Sequence, residues 1–229
     1  MSAPGSYIEW VNNHLGFNPR GQANSDALSD LVTADLAQTA SLLGNAIAKE
    51  LLSPRKNANV KASFATRNID LIFEEAGNPQ VSVQVAVENK TIMAAHGKAR
   101  KNRYGDIIAY CNHMHNHHRN CVAGAIVIIN VSAEYLNPDS FAKELKRPKF
   151  DMNRVVKDTI EIFAKIPLRD APDDPTELPE ALAIIVVDYN GVKPGKLVTD
   201  ERAPETSDPV YYDNFLNRLC ALYEQRVQK

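Results

Sequence analysis

The chain has 229 residues and a formal net charge of -2, with 44% of its residues apolar and 24% charged. That length suits one domain over residues 1–229, large enough to bury roughly 70% of its unfolded surface without disulfide or metal staples. No apolar run approaches the ~18–20 residues that cross a bilayer, the first residues lack the basic and apolar parts of a signal peptide, and three cysteines form an odd, unpatterned set. These features predict no membrane partner and free thiols in a reducing cytoplasm.

In chain order, Tyr7, Ile8, Trp10, Val11 and Leu15 predict a short helix ending near Gly16. Asn24 or Ser25 can cap a second, long helix, whose apolar residues run from Leu28 to Leu51 and whose end is marked by Ser53-Pro54. Strands are expected over Val60 to Thr66, Ile69 to Glu75 and Val81 to Lys90, the last two joined by a turn at Ala76-Gly77-Asn78-Pro79. A helix over about His96 to Asn116 comes next, with Ile107, Ile108 and Tyr110 inward and Tyr104 packed. Cys121 to Val131 reads as a strand buried on both faces. An amphipathic helix over 152–165, a Pro/Asp-rich loop over 167–180 and a buried strand over Ala181 to Tyr189 follow. A last helix opens at Pro209.

Chemistry concentrates on two of these strands. Valine at every other position from Val81 to Val87 marks one buried face, so Gln84, Glu88 and Lys90 share the other. By the same count Asp70 and Glu74 share a face opposite Ile69, Leu71 and Phe73. Paired as a hairpin, the two strands can bring Asp70, Glu88 and Lys90 onto one surface. Two carboxylates beside a lysine can hold a divalent cation and place a cationic group near the water it activates. Just downstream, residues 96 to 103 read His-Gly-Lys-Ala-Arg-Lys-Asn-Arg with no acid. A local basic segment of this kind can grip phosphate on an otherwise near-neutral chain.

Asp70, seventeen intervening residues and then Glu88-Asn89-Lys90 resemble the active-site motif of the PD-(D/E)xK nuclease superfamily, which includes most type II restriction endonucleases. Ile69 stands where the motif's proline would be. The resemblance covers mainly residues 60 to 130. It implies an α/β, restriction-endonuclease-like fold, a mixed β-sheet flanked by helices. It also implies a metal-dependent DNA endonuclease acting on double-stranded DNA with Mg²⁺, or Mn²⁺ as a substitute. In that reading Asp70, Glu88 and the carbonyl of Asn89 bind the metal and Lys90 orients the attacking water. Glu50, Glu74 and Gln84 are accessory candidates. His96, Lys98, Arg100, Lys101 and Arg103 are the expected phosphate contacts.

The size suits a type II restriction enzyme, with a repair, recombination or phage-defence nuclease as the alternative and a homodimer as the form that would match a palindrome. Residues 132 to 150 and 190 to 208 are candidates for base readout. From another class, a silent nucleic-acid-binding module or a zinc-organised module is the rival. The zinc reading rests on Cys111, His113, His115, His117, His118 and Cys121, six potential ligands within eleven residues. Their spacing lacks a Cys-x-x-Cys knuckle, so a solvated, His-rich helix end is the expected outcome.

Overall fold

The computed structural model describes residues 2–18, 21–61, 65–77, 83–132 and 151–227. Among these residues, six helices flank one six-stranded sheet of order β1-β2-β3-β4-β5-β6. The strands are β1 (Leu52–Lys61), β2 (Thr66–Glu75), β3 (Val83–Ile92), β4 (Val122–Asn130), β5 (Ala181–Asp188) and β6 (Lys196–Leu197). The first three run antiparallel, β3, β4 and β5 run parallel, and β6 returns antiparallel to β5.

The parallel half dictates where the next two helices go. Each step from β3 to β4 to β5 moves one strand in the same direction, so right-handed crossovers put both connecting helices on one face. These are α4 (His96–His117) and α5 (Met152–Ala164), which pack on each other. The opposite face is covered by α1 (Ala3–Asn13), α2 (Gln22–Ala37), α3 (Leu42–Ala48) and α6 (Tyr212–Val227). Covered on both sides, β4 is buried at every residue, as its unbroken apolar sequence predicts. Ala123, Ala125, Val127 and Ile129 face α4 and α5, and Val122, Ile126 and Ile128 face the other layer. Gly124 lets α6 approach closely, since a Cβ there would lie 2.8 Å from Phe215 Cε2. Gly124→Val should therefore cost about 1–3 kcal/mol through overpacking, read as a lowered midpoint in urea unfolding.

One expectation fails between residues 37 and 54. The long helix is two, because Thr39 and Ser41 offer the backbone other partners. The Thr39 hydroxyl donates to the Leu36 carbonyl at 2.7 Å, and Ser41 Oγ accepts from the Gly44 N–H at 2.9 Å as the cap of α3. Helix α3 then ends in a Schellman turn. Leu51 N–H donates to Ala46 O, Glu50 N–H donates to Ile47 O, and Glu50 takes the left-handed conformation at φ 56°. Ser53-Pro54 lies inside β1, which tolerates proline because it is the sheet's edge. The first helix ends at Asn13 rather than near Gly16, and the last begins at Tyr212 rather than at Pro209. Neither Asn24 nor Ser25 caps α2, whose N-cap is Gly21.

Candidate functional site

The paired register of β2 with β3 runs Phe73↔Val85, Ile72↔Ala86, Leu71↔Val87. The next pair would be Asp70 and Glu88, and there the ladder stops. Residues 66–69 pair only with β1 and residues 88–92 only with β4, so the sheet forks at the two acids. Asp70 fills the gap with its side chain. Its Oδ2 accepts the Asn89 N–H at 2.7 Å, standing in for a strand carbonyl. Its Oδ1 accepts the Ser25 hydroxyl at 2.7 Å from the first turn of α2. The Asn89 amide spans the same fork, donating to Ser25 Oγ at 3.2 Å and Ser29 Oγ at 3.0 Å.

Lys90 lies two residues beyond Glu88 on the same strand face. Its Nζ is 2.5 Å from Glu88 Oε1 and 3.9 Å from Asp70 Oδ2. Arg67, three residues before Asp70, reaches the same Glu88 oxygen at 3.5 Å and donates to the Asp106 carbonyl at 3.1 Å. The Glu88 side chain is only 4% exposed, and its Oε2 has no hydrogen-bond partner among the described residues. Burial lifts the Glu88 carboxyl above its ordinary value, Lys90 and Arg67 pull it back only in part, and Asp70 pushes it further up. A buried acceptor oxygen without a partner, next to a second carboxylate, fits a ligand for a hard divalent cation.

Asp70 and Lys90 border a polar cleft of about 250 Å³ that Ser25, Asn57, Asn68 and Arg103 also line, while Glu88 lies buried behind Lys90, outside that lining. Asp70, Glu88 and Lys90 thus come together as the strand count predicts, and Asn89, which the count puts on the other face, joins them through its backbone N–H. The accessory acids do not join them. Glu50 is exposed at the Schellman turn, next to Leu51, whose carbonyl accepts the Ala76 N–H, and Glu74 pairs with Arg55 at 3.2 Å. Gln84 borders a separate cavity with His117 and His118. Glu74 is four residues from Asp70 and Gln84 four from Glu88, roughly 13 Å along each strand. Sharing a face is not sharing a site, because a strand moves its residues apart as it repeats them.

The basic segment divides. Lys98 and Lys101 are exposed, and Arg100 is half-buried. Arg103 lines the cleft and is held by the Thr91 carbonyl at 3.3 Å and Asp106 Oδ2 at 2.6 Å. His96 is not a surface contact. It is buried against the Asn130 carbonyl at 2.7 Å, and burial pushes its pKa below the ordinary range. Tyr104 is exposed rather than packed. The base-readout stretch 190–208 begins at the carboxyl end of β5, where the Tyr189 N–H donates to Asn130 at the end of β4. Of the other readout candidate, residues 132–150, all but Ser132 lie outside the described residues.

The His-rich segment is neither a solvated helix end nor a convergent cluster. His113 bonds the Val60 carbonyl at 3.0 Å, and His118 accepts from the Val83 N–H at 3.2 Å. His115 is buried, with one ring nitrogen 2.7 Å from the Thr176 carbonyl and the other 2.8 Å from Glu180 Oε2. Glu180 also binds Arg169 and Arg226 at 2.7 Å each and the Ala123 N–H at 2.8 Å. Burial raises the Glu180 carboxyl, but His115 and Arg226 outweigh it and hold the group below its ordinary value. Cys111 and Cys121 are buried free thiols, and burial drives both well away from the thiolate form that zinc requires. Among the described residues no group of three His, Cys, Asp or Glu side chains is placed to hold a metal.

Sequence reading missed Ser25, Ser29 and Arg67. Ser25 had a competing local signal as a helix cap, and its contact to Asp70 spans 45 residues. Arg67 has no periodic signal because it acts across the fork. Among the described residues no helix is long and apolar enough to cross a membrane. Compared with known proteins, the chain matches no family model, no curated protein and no solved structure.

Proposed function

We propose that the chain is a metal-dependent endonuclease that hydrolyses phosphodiester bonds of double-stranded DNA at the fork of β2 and β3, in the manner of a type II restriction enzyme. One observation carries the reading: Asp70, Glu88 and Lys90 converge where the strand ladder ends, with an unpartnered carboxylate oxygen buried among them. Asp70, Glu88 and the Asn89 carbonyl would hold Mg²⁺, which supplies Lewis acidity to a phosphate oxygen and acidifies water. Ser25 and the Asn89 N–H fix the Asp70 carboxylate in one orientation. Lys90 orients the attacking water and offsets charge on the phosphate. The water oxygen joins phosphorus, the bond from phosphorus to the 3′ oxygen breaks, and a proton passes to that oxygen. The products carry a 3′-hydroxyl and a 5′-phosphate. Cleavage of duplex DNA that requires Mg²⁺ or Mn²⁺, and yields ends a ligase can rejoin, tests this reading. Uncut DNA in both metals contradicts it.

Exposed Lys98 and Lys101 would contact phosphates on the approach to the cleft. Each phosphate that a lysine neutralises accounts for about 0.9 of the slope of log affinity against log salt. Replacing both with serine should lower that slope by about 2, measured by fluorescence anisotropy at several salt concentrations. An unchanged slope would make them ordinary solvated side chains.

A further inference from the structure

Lys90 stands where a cation bridging the two acids would stand. Its ammonium touches Glu88 Oε1 at 2.5 Å and lies 3.9 Å from Asp70 Oδ2, and the three side chains are only 15%, 4% and 18% exposed. Arg67 adds a second cation at 3.5 Å from the same Glu88 oxygen. Counted by formal charge, two anions already face two cations. A divalent ion arriving alone would add two positive charges next to Lys90 and Arg67, in a place with little water to screen them. It would also compete with Nζ for the Glu88 carboxylate.

We infer that Lys90 holds the ion's place in the free protein, so that the divalent ion and an anionic DNA phosphate load into the site together. The inference rests on the nuclease reading above. The phosphate restores the charge balance, gives the ion an oxygen ligand and gives the displaced ammonium an acceptor. Coupling of this kind is reciprocal: DNA tightens the ion by the factor by which the ion tightens DNA.

Calcium titration by calorimetry tests it, on the wild type, Lys90→Met and Asp70→Asn, each alone and with a short duplex. The wild type alone should bind Ca²⁺ weakly, and the duplex should tighten it by about ten-fold or more, within the usual range of coupling. Lys90→Met should bind Ca²⁺ without DNA about ten-fold tighter than the wild type does, and the duplex should add little. Asp70→Asn should lose Ca²⁺ in both conditions. Melting curves check that each variant is folded, and Lys90→Gln repeats the test should the methionine variant not fold. Equal Ca²⁺ affinity of wild type and lysine variants without DNA, or no effect of the duplex on the wild type, overturns the inference while leaving the nuclease reading standing. Calcium retained by Asp70→Asn would place the ion elsewhere and overturn it too. If no protein binds Ca²⁺ in either condition, the nuclease reading falls with it.

Discussion

Glu88→Gln is expected to abolish DNA cleavage while leaving the protein as stable as before, or more stable, at neutral pH. The loss of activity follows from removing one of two carboxylates that would hold the metal. A fall in single-turnover rate on the order of 10³-fold or more is expected, at the upper end of what one electrostatic group supplies. The stability follows from burial. The Glu88 side chain is 4% exposed, and desolvation outweighs Lys90, so its carboxyl sits above the ordinary value of 4.5 in the folded chain. An acid whose folded pKa is raised binds its proton more tightly in the folded state than in the unfolded one. Ionising it therefore lowers stability as pH rises from about 4.5 through the folded value, and the loss persists above. Glutamine keeps the shape and has no proton to lose. Thermal melts of wild type and variant from pH 4.5 to 8 should converge at the acid end and separate in favour of Glu88→Gln above it. A variant that melts several degrees lower at pH 7 would show that the pair with Lys90 stabilises the fold after all.

The second large effect lies away from the cleft. Glu180→Ala should destabilise the chain by about 3–5 kcal/mol, since it strips the partner from buried charges. Arg169 is fully buried and gives Glu180 Oε1 a 2.7 Å bond, with Arg226 on the same oxygen. His115 and the Ala123 N–H would lose their acceptor on Oε2. For a chain of this length that corresponds to a melting temperature lower by roughly 6–20 °C. The sign with pH is opposite to that of Glu88. Glu180 is held below its ordinary value, so its stabilisation is present above pH 4.5 and is lost as pH falls through the folded value. The gap between wild type and Glu180→Ala should accordingly narrow in acid. A gap below about 1 kcal/mol at pH 7 would mean that the two arginines find water or other acceptors.

How far the sequence carries depends on the range of the interaction that decides each feature. Strands β2 to β5 and α4 are legible because one period of burial governs each of them: valine alternation for β3, a nearly continuous apolar run for β4; β1 starts at Leu52 instead of Val60, and β6 is two residues with no period to read. The Asp70, Glu88 and Lys90 constellation is legible for the same reason, once the two strands are taken as a pair. Glu74 and Gln84 fit that period equally well and are still far from the site, because period fixes a face and not a position along it. Glu50 shows a different limit. An acid in a helical pattern carries no sign that its backbone will turn left-handed, a conformation set by where Thr39 and Ser41 restart the helix. His96 and His115 are titratable residues in polar stretches, yet both are buried on partners 34 and 65 residues away. Those pairings are products of the closed fold, and nothing local announces them.

The central claim is that the fork at Asp70 and Glu88 cuts DNA. The most direct measurement is incubation of supercoiled plasmid with wild type and Asp70→Ala, purified side by side, in Mg²⁺ and in chelator. The account predicts nicked or linear plasmid only with wild type in Mg²⁺, while Asp70→Ala still melts cooperatively, less stable by about 1–3 kcal/mol because the Asn89 N–H and the Ser25 hydroxyl lose their acceptor. Equal cleavage by Asp70→Ala, or cleavage by wild type that continues undiminished in chelator, would contradict it.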